Sequence, residues 1–139
     1  MNEIAIRKTE AKDLQGIYDL YSGRKSMNEI IWVLQDHDNG GYRSFIAIGN
    51  DEKIVGHIGY CLGKYFFNGI EYEGLHNMMW IVNPRIKGGV GLKLFARNVS
   101  MGDFGFAIGS SKNMDIYSNV FPNIESIIES YNSGIYTAP

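Results

Sequence analysis

Residues 80–92 of this 139-residue chain read Trp-Ile-Val-Asn-Pro-Arg-Ile-Lys-Gly-Gly-Val-Gly-Leu, and this stretch decides the fold. The apolar run before it predicts a strand that stops at Pro84, and the apolar spacing of Leu92–Val99 predicts a helix. The first turn of a helix has backbone N–H groups without intrahelical acceptors, and the helix dipole makes that end partly positive. Glycines let an anion approach such amides because no Cβ blocks it. The stretch therefore predicts a strand, a turn that binds an anion, usually a phosphate, and a helix.

The glycine pattern alone is a weak signal, because glycines often precede helices for purely structural reasons. It is not a Walker loop, since no Gly-Lys-Ser/Thr follows the glycines. It is also a poor dinucleotide-binding fingerprint, which follows the first strand of a parallel unit. The stretch here follows an antiparallel hairpin, so the order of the other elements has to decide its meaning.

The hairpin before the glycines is the best-supported part of the sequence. Asn68-Gly69 supplies the two positive-φ residues that a type I′ turn needs. The flanking patterns predict strands over Lys53–Leu62 and about Ile70–Val82, and a further strand over Ser44–Ile48. These segments predict three adjacent antiparallel strands.

The remaining elements are predicted from periodicity and capping signals. Beyond Pro122 the pattern weakens: residues 124–131 fit one or two helical turns, and 131–137 fit a strand fragment. The predicted elements are a short strand ending at Arg7, a helix over Asp13–Tyr21 stopped by Gly23, a helix capped by Ser26 with Glu29, a buried strand over Phe104–Ile108 and a short helix over Asn113–Val120.

Composition narrows the class of protein. Hydrophobic residues make up 45% and charged residues 20%, which fits one globular domain over 1–139. The net charge is −2 and the basic residues are scattered, which argues against a nucleic-acid partner. Cys61 is the single cysteine, so there is no internal disulfide and no Cys/His metal spacing. The longest apolar run, Ile30–Leu34, is too short to cross a bilayer. We therefore expect a cytoplasmic protein without a metal and without a membrane partner.

Residues 80–92 resemble the acetyl-CoA motif of the GNAT superfamily of N-acetyltransferases. In that motif a strand ends in a Val-x-Pro-like element, and Arg/Gln-x-x-Gly-x-Gly/Ala then opens a helix; Gly89 and Gly91 match the two glycines. Residues 4–14 resemble the first strand and helix of the family, residues 53–59 resemble its third strand, and the element order agrees over residues 3–120. The resemblance implies an α/β (α+β) fold: a mixed, mostly antiparallel twisted sheet flanked by helices. The strands ending near Val82 and starting near Phe104 are expected to splay apart.

Two departures from the family pattern stand out. Ile86 lies where the family usually has Arg or Gln, so Arg85 or Lys87 would have to take over that phosphate contact. Only about 20 residues follow Tyr117, where the family usually has two further strands. The expectation is therefore a domain that lacks its final strands or completes its sheet differently.

The resemblance implies acetyl-CoA as cosubstrate and direct transfer of its acetyl group to a small-molecule amine. Backbone groups at the end of the strand would position the acetyl group and the pantetheine arm, and the turn would hold the diphosphate. A homodimer is left open as a further partner. The implied cofactor-binding residues are Ile81, Val82, Lys87, Gly88, Gly89, Val90, Gly91 and Leu92.

The family's chemistry needs a proton donor for the leaving thiolate and often a base for the amine. Tyr117 resembles the family's tyrosine donor, and a neutral phenol suits that role. Glu73 and His76 are the candidate bases; they differ by three residues, so strand alternation places them on opposite faces. An aromatic anchor, a surface carboxylate and a core histidine remain the plainer interpretations of these three residues.

Two alternatives to an enzyme stay open at this point. One is a non-catalytic domain of this fold that binds CoA or a protein partner, and the other is an inactive fragment. Ile86 and the short C-terminal region favour these alternatives. The intact glycine turn and Tyr117 favour the N-acetyltransferase.

Overall fold

The computed structural model describes residues 3–108, 125–127 and 133–137. The chain divides into two compact units: Met1–Tyr60 with Met78–Asn98, and Cys61–Asn77 with Val99–Pro139. Strands β3 and β4 each contribute residues to both units. The elements in chain order are β1 (Ala5–Lys8), a 3₁₀ turn (Ala11–Asp13), α1 (Leu14–Tyr21), α2 (Met27–Leu34), β2 (Ser44–Ile48), β3 (Ile54–Phe67), β4 (Ile70–Val82), α3 (Val90–Val99), β5 (Phe104–Ile108), β6 (Glu125–Ile127) and β7 (Ser133–Thr137).

The sheet of the first unit follows the order β1-β2-β3-β4. Ala5 lies opposite Ile48 in the antiparallel pair β1–β2, and Ser44 lies opposite Gly59 in the antiparallel pair β2–β3. A bulge interrupts the second pair between Ala47 and Ile48. The prediction of adjacent antiparallel strands before the glycine turn is confirmed.

The core of the first unit packs helices against the strands. Glycines in β3 allow this close approach: a Cβ added to Gly59 would lie 2.5 Å from Leu34 Cδ2 of α2, and one added to Gly56 would lie 2.8 Å from Leu94 Cδ1 of α3. Phe95 of α3 is fully buried, and its ring stacks on that of Trp80 in β4 at 5.3 Å. One buried cluster joins α1 and α2 to the strands through Ile17, Tyr21, Ile30, Leu34, Ile46 and Met79.

Helix capping follows the sequence closely. Ser26 Oγ accepts the Glu29 N–H at 3.1 Å, so the predicted N-cap of α2 is confirmed. The Glu29 carboxylate pairs with Lys25 at 3.2 Å. The helix α1 ends at Tyr21 and is followed by Ser22 and Gly23, which both have positive φ. The glycine stop predicted for this helix is therefore confirmed.

In the second unit the sheet becomes mixed. Gly74–His76 of β4 pair in parallel with Phe104–Phe106 of β5, whereas β5 with β7 and β6 with β7 pair antiparallel. The strand β4 continues for six residues beyond this parallel pairing, to Val82. The predicted fold class, a mixed, mostly antiparallel sheet with flanking helices, is confirmed. The strands β4 and β5 pair at only three positions.

The turn of the β3–β4 hairpin is as predicted, whereas the strand β3 is longer than predicted. Asn68 and Gly69 have φ of 52° and 79°, as a type I′ turn requires. The strand β3 runs to Phe67, five residues past the predicted end at Leu62. The reason lies in aromatic packing around Phe104, whose ring lies 5.2 Å from that of Tyr65 and 5.8 Å from that of Phe67.

The C-terminal region differs from one of its predictions. Glu125–Ile127 form a strand paired with Ser133–Ile135, so the helical interpretation of residues 124–131 is wrong for that segment. Isoleucines at helical spacing are outweighed here by pairing to a neighbouring strand. The strand fragment within 131–137 is confirmed as β7. The helix predicted over Asn113–Val120 lies outside the described residues, and the expected loss of final strands stays a prediction.

Candidate functional site

The site predicted from the glycine turn lies in the first unit, where β4 passes into α3. Asn83 organises this passage. Its N–H donates to Val55 O at 2.8 Å, its Oδ1 accepts the Arg85 N–H at 3.0 Å, and its carbonyl oxygen accepts the Ile86 N–H at 2.9 Å. Pro84 occupies the second position of this turn, where a fixed φ is favourable. One residue therefore ties the end of the strand to the segment that leads into the glycines.

The three glycines serve two different purposes. Gly88 and Gly89 are exposed, have φ of +99° and +71°, and would place an added Cβ more than 4 Å from any heavy atom. Gly91 does not have a positive φ, and its added Cβ would lie 3.3 Å from Val82 Cγ2. The first two glycines give the backbone its left-handed conformation and leave its surface open. The third allows α3 to pack closely on the end of β4.

The amides at the start of α3 are available to a ligand. The first hydrogen bond within the helix runs from the Lys93 N–H to Gly89 O at 3.0 Å. The N–H groups of Val90, Gly91 and Leu92 precede it and have no intrahelical acceptor. Among the described residues we find no protein acceptor for the N–H groups of Gly88–Leu92. The turn therefore offers a group of free donors at the positive end of a helix.

Three clefts open beside the end of β4 and the segment that leads into this turn. One, which we call the basic cleft, has a volume of about 760 Å³; it is lined by Lys53, Arg85 and Lys87, with Asp51 and apolar side chains. A neighbouring cleft of about 390 Å³ lies between the end of α1 and residues 81–85. A third, of about 860 Å³, extends from Asn83 along α1 and the β2–β3 turn. Of the predicted cofactor-binding residues, Ile81, Val82 and Lys87 therefore line a cleft.

All eight predicted cofactor-binding residues fall in this region. Ile81 and Val82 are half-buried at the end of β4 and line the 390 Å³ cleft. Lys87 is exposed and lines the basic cleft. Gly88–Leu92 form the open turn and the first helical residues. The roles predicted for these residues depend on a bound ligand and stay predictions.

The two candidate bases lie in the second unit. Glu73 is exposed; its N–H donates to the Asp103 carboxylate, and its carbonyl oxygen accepts the Asp103 N–H, both at 2.8 Å. His76 is half-buried, and burial lowers its pKa, which favours the neutral imidazole. Tyr117 lies outside the described residues. In the part of the chain that the structure describes, no group of three or more His, Cys, Asp or Glu side chains is placed to hold a metal ion.

His57 is a core residue of the first unit. Its side chain is fully buried, and Nδ1 lies 3.2 Å from Tyr21 Oη. The other ring nitrogen, Nε2, is buried without a partner among the described residues. Burial lowers the pKa of His57 to about 3, and burial also raises the pKa of Tyr21. The pair is therefore neutral in the folded protein over the physiological range.

The buried His57 predicts an acid-sensitive stability. The folded protein keeps this imidazole neutral down to about pH 3, whereas the unfolded chain protonates it below about pH 6.5. Unfolding then takes up a proton, so the free energy of unfolding should fall by about 1.4 kcal/mol per pH unit between about pH 6 and pH 4.5. Urea denaturation at several pH values measures this slope. The His57→Gln variant should lose most of it, and an unchanged slope in that variant would refute the assignment.

No helix in residues 3–108, 125–127 and 133–137 has both the length and the apolar character that crossing a membrane would demand.

Comparison with known proteins bears on the fold. No protein-family model matches the chain, and no curated protein sequence matches it. Among solved structures, the chain is similar to the GNAT family N-acetyltransferase YhbS from Escherichia coli in complex with CoA, at 12% identity and a TM-score of 0.70, covering 100% of this chain and 83% of YhbS.

Two further structures extend the comparison. A GNAT family acetyltransferase from Brucella melitensis in complex with acetyl-CoA matches at 15% identity and a TM-score of 0.63, covering 99% of this chain and 89% of that protein. A conserved protein from Enterococcus faecalis V583, named "Probable N-Acyltransferase", matches at 12% identity and a TM-score of 0.61 over 86% of this chain. The chain spans 32% of the length of that protein. The fold of this chain is therefore that of the GNAT N-acetyltransferases.

Proposed function

We propose that this protein is an acetyl-CoA-dependent N-acetyltransferase that transfers the acetyl group directly to a small-molecule amine. The observation that carries the proposal is the glycine turn at the N-terminus of α3, where the amides of Gly88–Leu92 have no protein acceptor within the described part of the chain. Proteins of the same fold have been crystallised with CoA and acetyl-CoA. In the proposal these amides and Lys87 hold the diphosphate, and the backbone of Ile81 and Val82 holds the pantetheine arm and the acetyl group.

The proposed reaction has a simple balance. The nitrogen of a neutral amine forms a bond to the thioester carbonyl carbon, and the carbon–sulfur bond breaks. The amine gives up one proton, and the CoA thiolate takes up one proton. Glu73 or His76 would accept the first proton, and Tyr117 would donate the second. The neutral imidazole of His76 suits direct acceptance, while the exposed carboxylate of Glu73 suits transfer through a water molecule.

We propose that the enzyme works in the cytoplasm, without a metal ion, and that a homodimer is its first candidate assembly. Size-exclusion chromatography with light scattering measures the assembly directly. A monomer at micromolar concentrations would remove the homodimer from the proposal and leave the chemistry untouched.

Two assays separate an enzyme from a binding domain. Release of free thiol from acetyl-CoA is followed with a panel of amino sugars, polyamines and amino acids. Thermal unfolding is followed in parallel with and without CoA, because a ligand that binds the folded state raises its stability. Amine-dependent thiol release supports the enzyme. A CoA-dependent rise in unfolding temperature without turnover would favour the non-catalytic binding domain over the enzyme. If both assays are negative, the inactive fragment is the interpretation that remains.

The role of Tyr117 gives a sharp kinetic prediction. Replacing Tyr117 by Phe removes the proton donor and should lower kcat about a hundredfold, since a positioned general acid typically contributes this much or more. The KM for acetyl-CoA should change little, because the phenol acts on the leaving thiolate. Tyr72→Phe, a hydroxyl deletion in β4 of the hairpin, serves as the control and should leave kcat unchanged. A kcat of Tyr117→Phe within threefold of the wild type would remove Tyr117 from the mechanism.

A further inference from the structure

The strand β3 continues well past the end of its neighbour β2. The paired positions of β2 and β3 end at Gly59, and the Tyr60 N–H donates to Arg43 O at 3.0 Å just beyond them. The strand β3 runs on to Phe67 beside β4. Residues 61–67 therefore form an edge strand of the second unit, with β4 on one side.

The backbone groups on the outer side of this strand belong to every second residue. In an antiparallel pair, successive residues direct their N–H and C=O groups to opposite sides, and the residues that flank a type I′ turn bond to each other. Phe67 therefore faces β4. Alternation from Phe67, and equally from Tyr60, directs the backbone groups of Leu62, Lys64 and Phe66 away from β4. These three residues, which we call the β3 edge, have no backbone partner on that side among the described residues.

The side chains of the β3 edge do little to keep a second strand away. Natural edges are commonly protected by proline, by unpaired charges or by a covering element. Residues 61–67 contain no proline, and their one charged side chain, Lys64, pairs with Glu71 at 3.5 Å. The Phe66 side chain is 67% exposed, and those of Phe67 and Ile70 are 55% and 57% exposed. An open edge that ends in exposed apolar side chains favours the addition of a strand.

The β3 edge is complementary to a second copy of itself. When two copies run antiparallel with a two-fold axis at Lys64, Leu62 of each copy lies opposite Phe66 of the other. The outward groups of all three residues then exchange backbone hydrogen bonds, and the exposed Phe66 ring covers Leu62, which is half-buried in one copy alone. The two Lys64 side chains meet near the axis, where each lies beside its own Glu71, so their repulsion is offset.

We propose that two copies of this protein associate through the β3 edge, with β3 of one copy antiparallel to β3 of the other. This inference rests on the homodimer proposed above, gives it an interface, and does not depend on acetyl transfer. Each copy uses its edge once, so the association closes at two copies. The backbone hydrogen bonds set the register, and burial of Phe66 stabilises the pair.

Analytical ultracentrifugation over about 1–100 µM protein tests the inference on matched variants. Phe66→Lys should weaken the dimer about tenfold, because it replaces the apolar contact with Leu62 by a further positive charge near Lys64. Leu62→Pro removes one outward N–H, which an edge strand tolerates, and should weaken the dimer by a similar factor with an unchanged circular dichroism spectrum. Trp32→Lys is the control: its side chain is 73% exposed on α2, outside the β3 edge, and the dimer should stay as tight as in the wild type.

Amide hydrogen exchange of the wild-type protein tests the same contact without a substitution. The N–H groups of Leu62, Lys64 and Phe66 should exchange several-fold more slowly at about 1 mM than at about 20 µM protein, because the dimer covers them. The N–H of Phe67, which faces β4, should exchange at the same rate at both concentrations. This alternation is specific to pairing at a strand edge.

The possible failures are distinguishable. A wild-type protein that stays monomeric at micromolar concentrations would overturn this inference together with the homodimer and leave acetyl transfer standing. A dimer that both Phe66→Lys and Leu62→Pro leave intact, or that Trp32→Lys weakens equally, would overturn the β3 edge as its interface while the homodimer stands.

Discussion

Replacing Gly89 by Val is expected to weaken CoA binding at least a hundredfold while leaving the protein folded. Gly89 has a φ of +71°, and no heavy atom lies within 4 Å of an added Cβ. A β-branched residue at positive φ is strained by about 1–2 kcal/mol, and its methyl groups would stand where an anion has to approach the amides. Calorimetric titration with CoA measures the loss of affinity, and urea denaturation measures the strain.

The Gly40→Val variant is the control that distinguishes the effect of backbone strain from the loss of the ligand site. Its φ is +78°, and an added Cβ there also meets no heavy atom within 4 Å, so Gly40→Val should carry a similar strain. It lies in the loop after α2 and lines none of the three clefts described above. We expect Gly40→Val to lose the same stability as Gly89→Val and to keep its affinity for CoA. Wild-type affinity in Gly89→Val would exclude the turn as the diphosphate site.

Replacing Phe95 by Ala should destabilise the protein by about 3–5 kcal/mol. The Phe95 side chain on α3 is fully buried, and its ring centroid lies 5.3 Å from that of Trp80 in β4. Its removal therefore leaves a cavity beneath the helix at whose N-terminus the candidate site lies. Urea denaturation, monitored by tryptophan fluorescence, measures the loss of stability. Phe66→Ala provides the control; that side chain is 67% exposed, and its removal should change stability by less than about 1 kcal/mol. Equal losses for the two variants would contradict the packing described for α3.

The sequence predicts those parts of the fold whose signals are local. Asn68-Gly69 specifies its own turn, because few other residue pairs tolerate two consecutive positive φ angles. Gly88 and Gly89 are predictable for the same reason, as the left-handed backbone at both positions needs a residue without a Cβ. Ser26 is recognisable as a helix cap because its hydrogen bond spans only three residues.

Features that depend on contacts between residues far apart in the chain cannot be predicted from local sequence patterns. The aromatic contacts that extend β3 join Tyr65 and Phe67 to Phe104, and no local pattern shows that these residues meet. The strand at Glu125–Ile127 likewise depends on its neighbour β7, while its own residues fit a helix equally well.

In the candidate site, too, the local feature can be predicted from the sequence and the long-range feature cannot. The glycine turn can be recognised from thirteen consecutive residues, but the basic cleft joins Lys53 to Arg85 and Lys87 from separate parts of the chain. The Asn-Pro pair at Asn83 does indicate the start of a turn. The hydrogen bond from the Asn83 N–H to Val55 O, which ties that turn to β3, becomes visible only in the folded protein.

Amide chemical shifts during a CoA titration test the central claim without altering the protein. In two-dimensional ¹⁵N–¹H NMR spectra, the amide signals of Gly88, Gly89, Val90 and Gly91 should move strongly with CoA and stay in place with pantetheine, which lacks the diphosphate. If CoA binds while these four signals remain unperturbed, the diphosphate lies elsewhere and the account of the glycine turn is wrong.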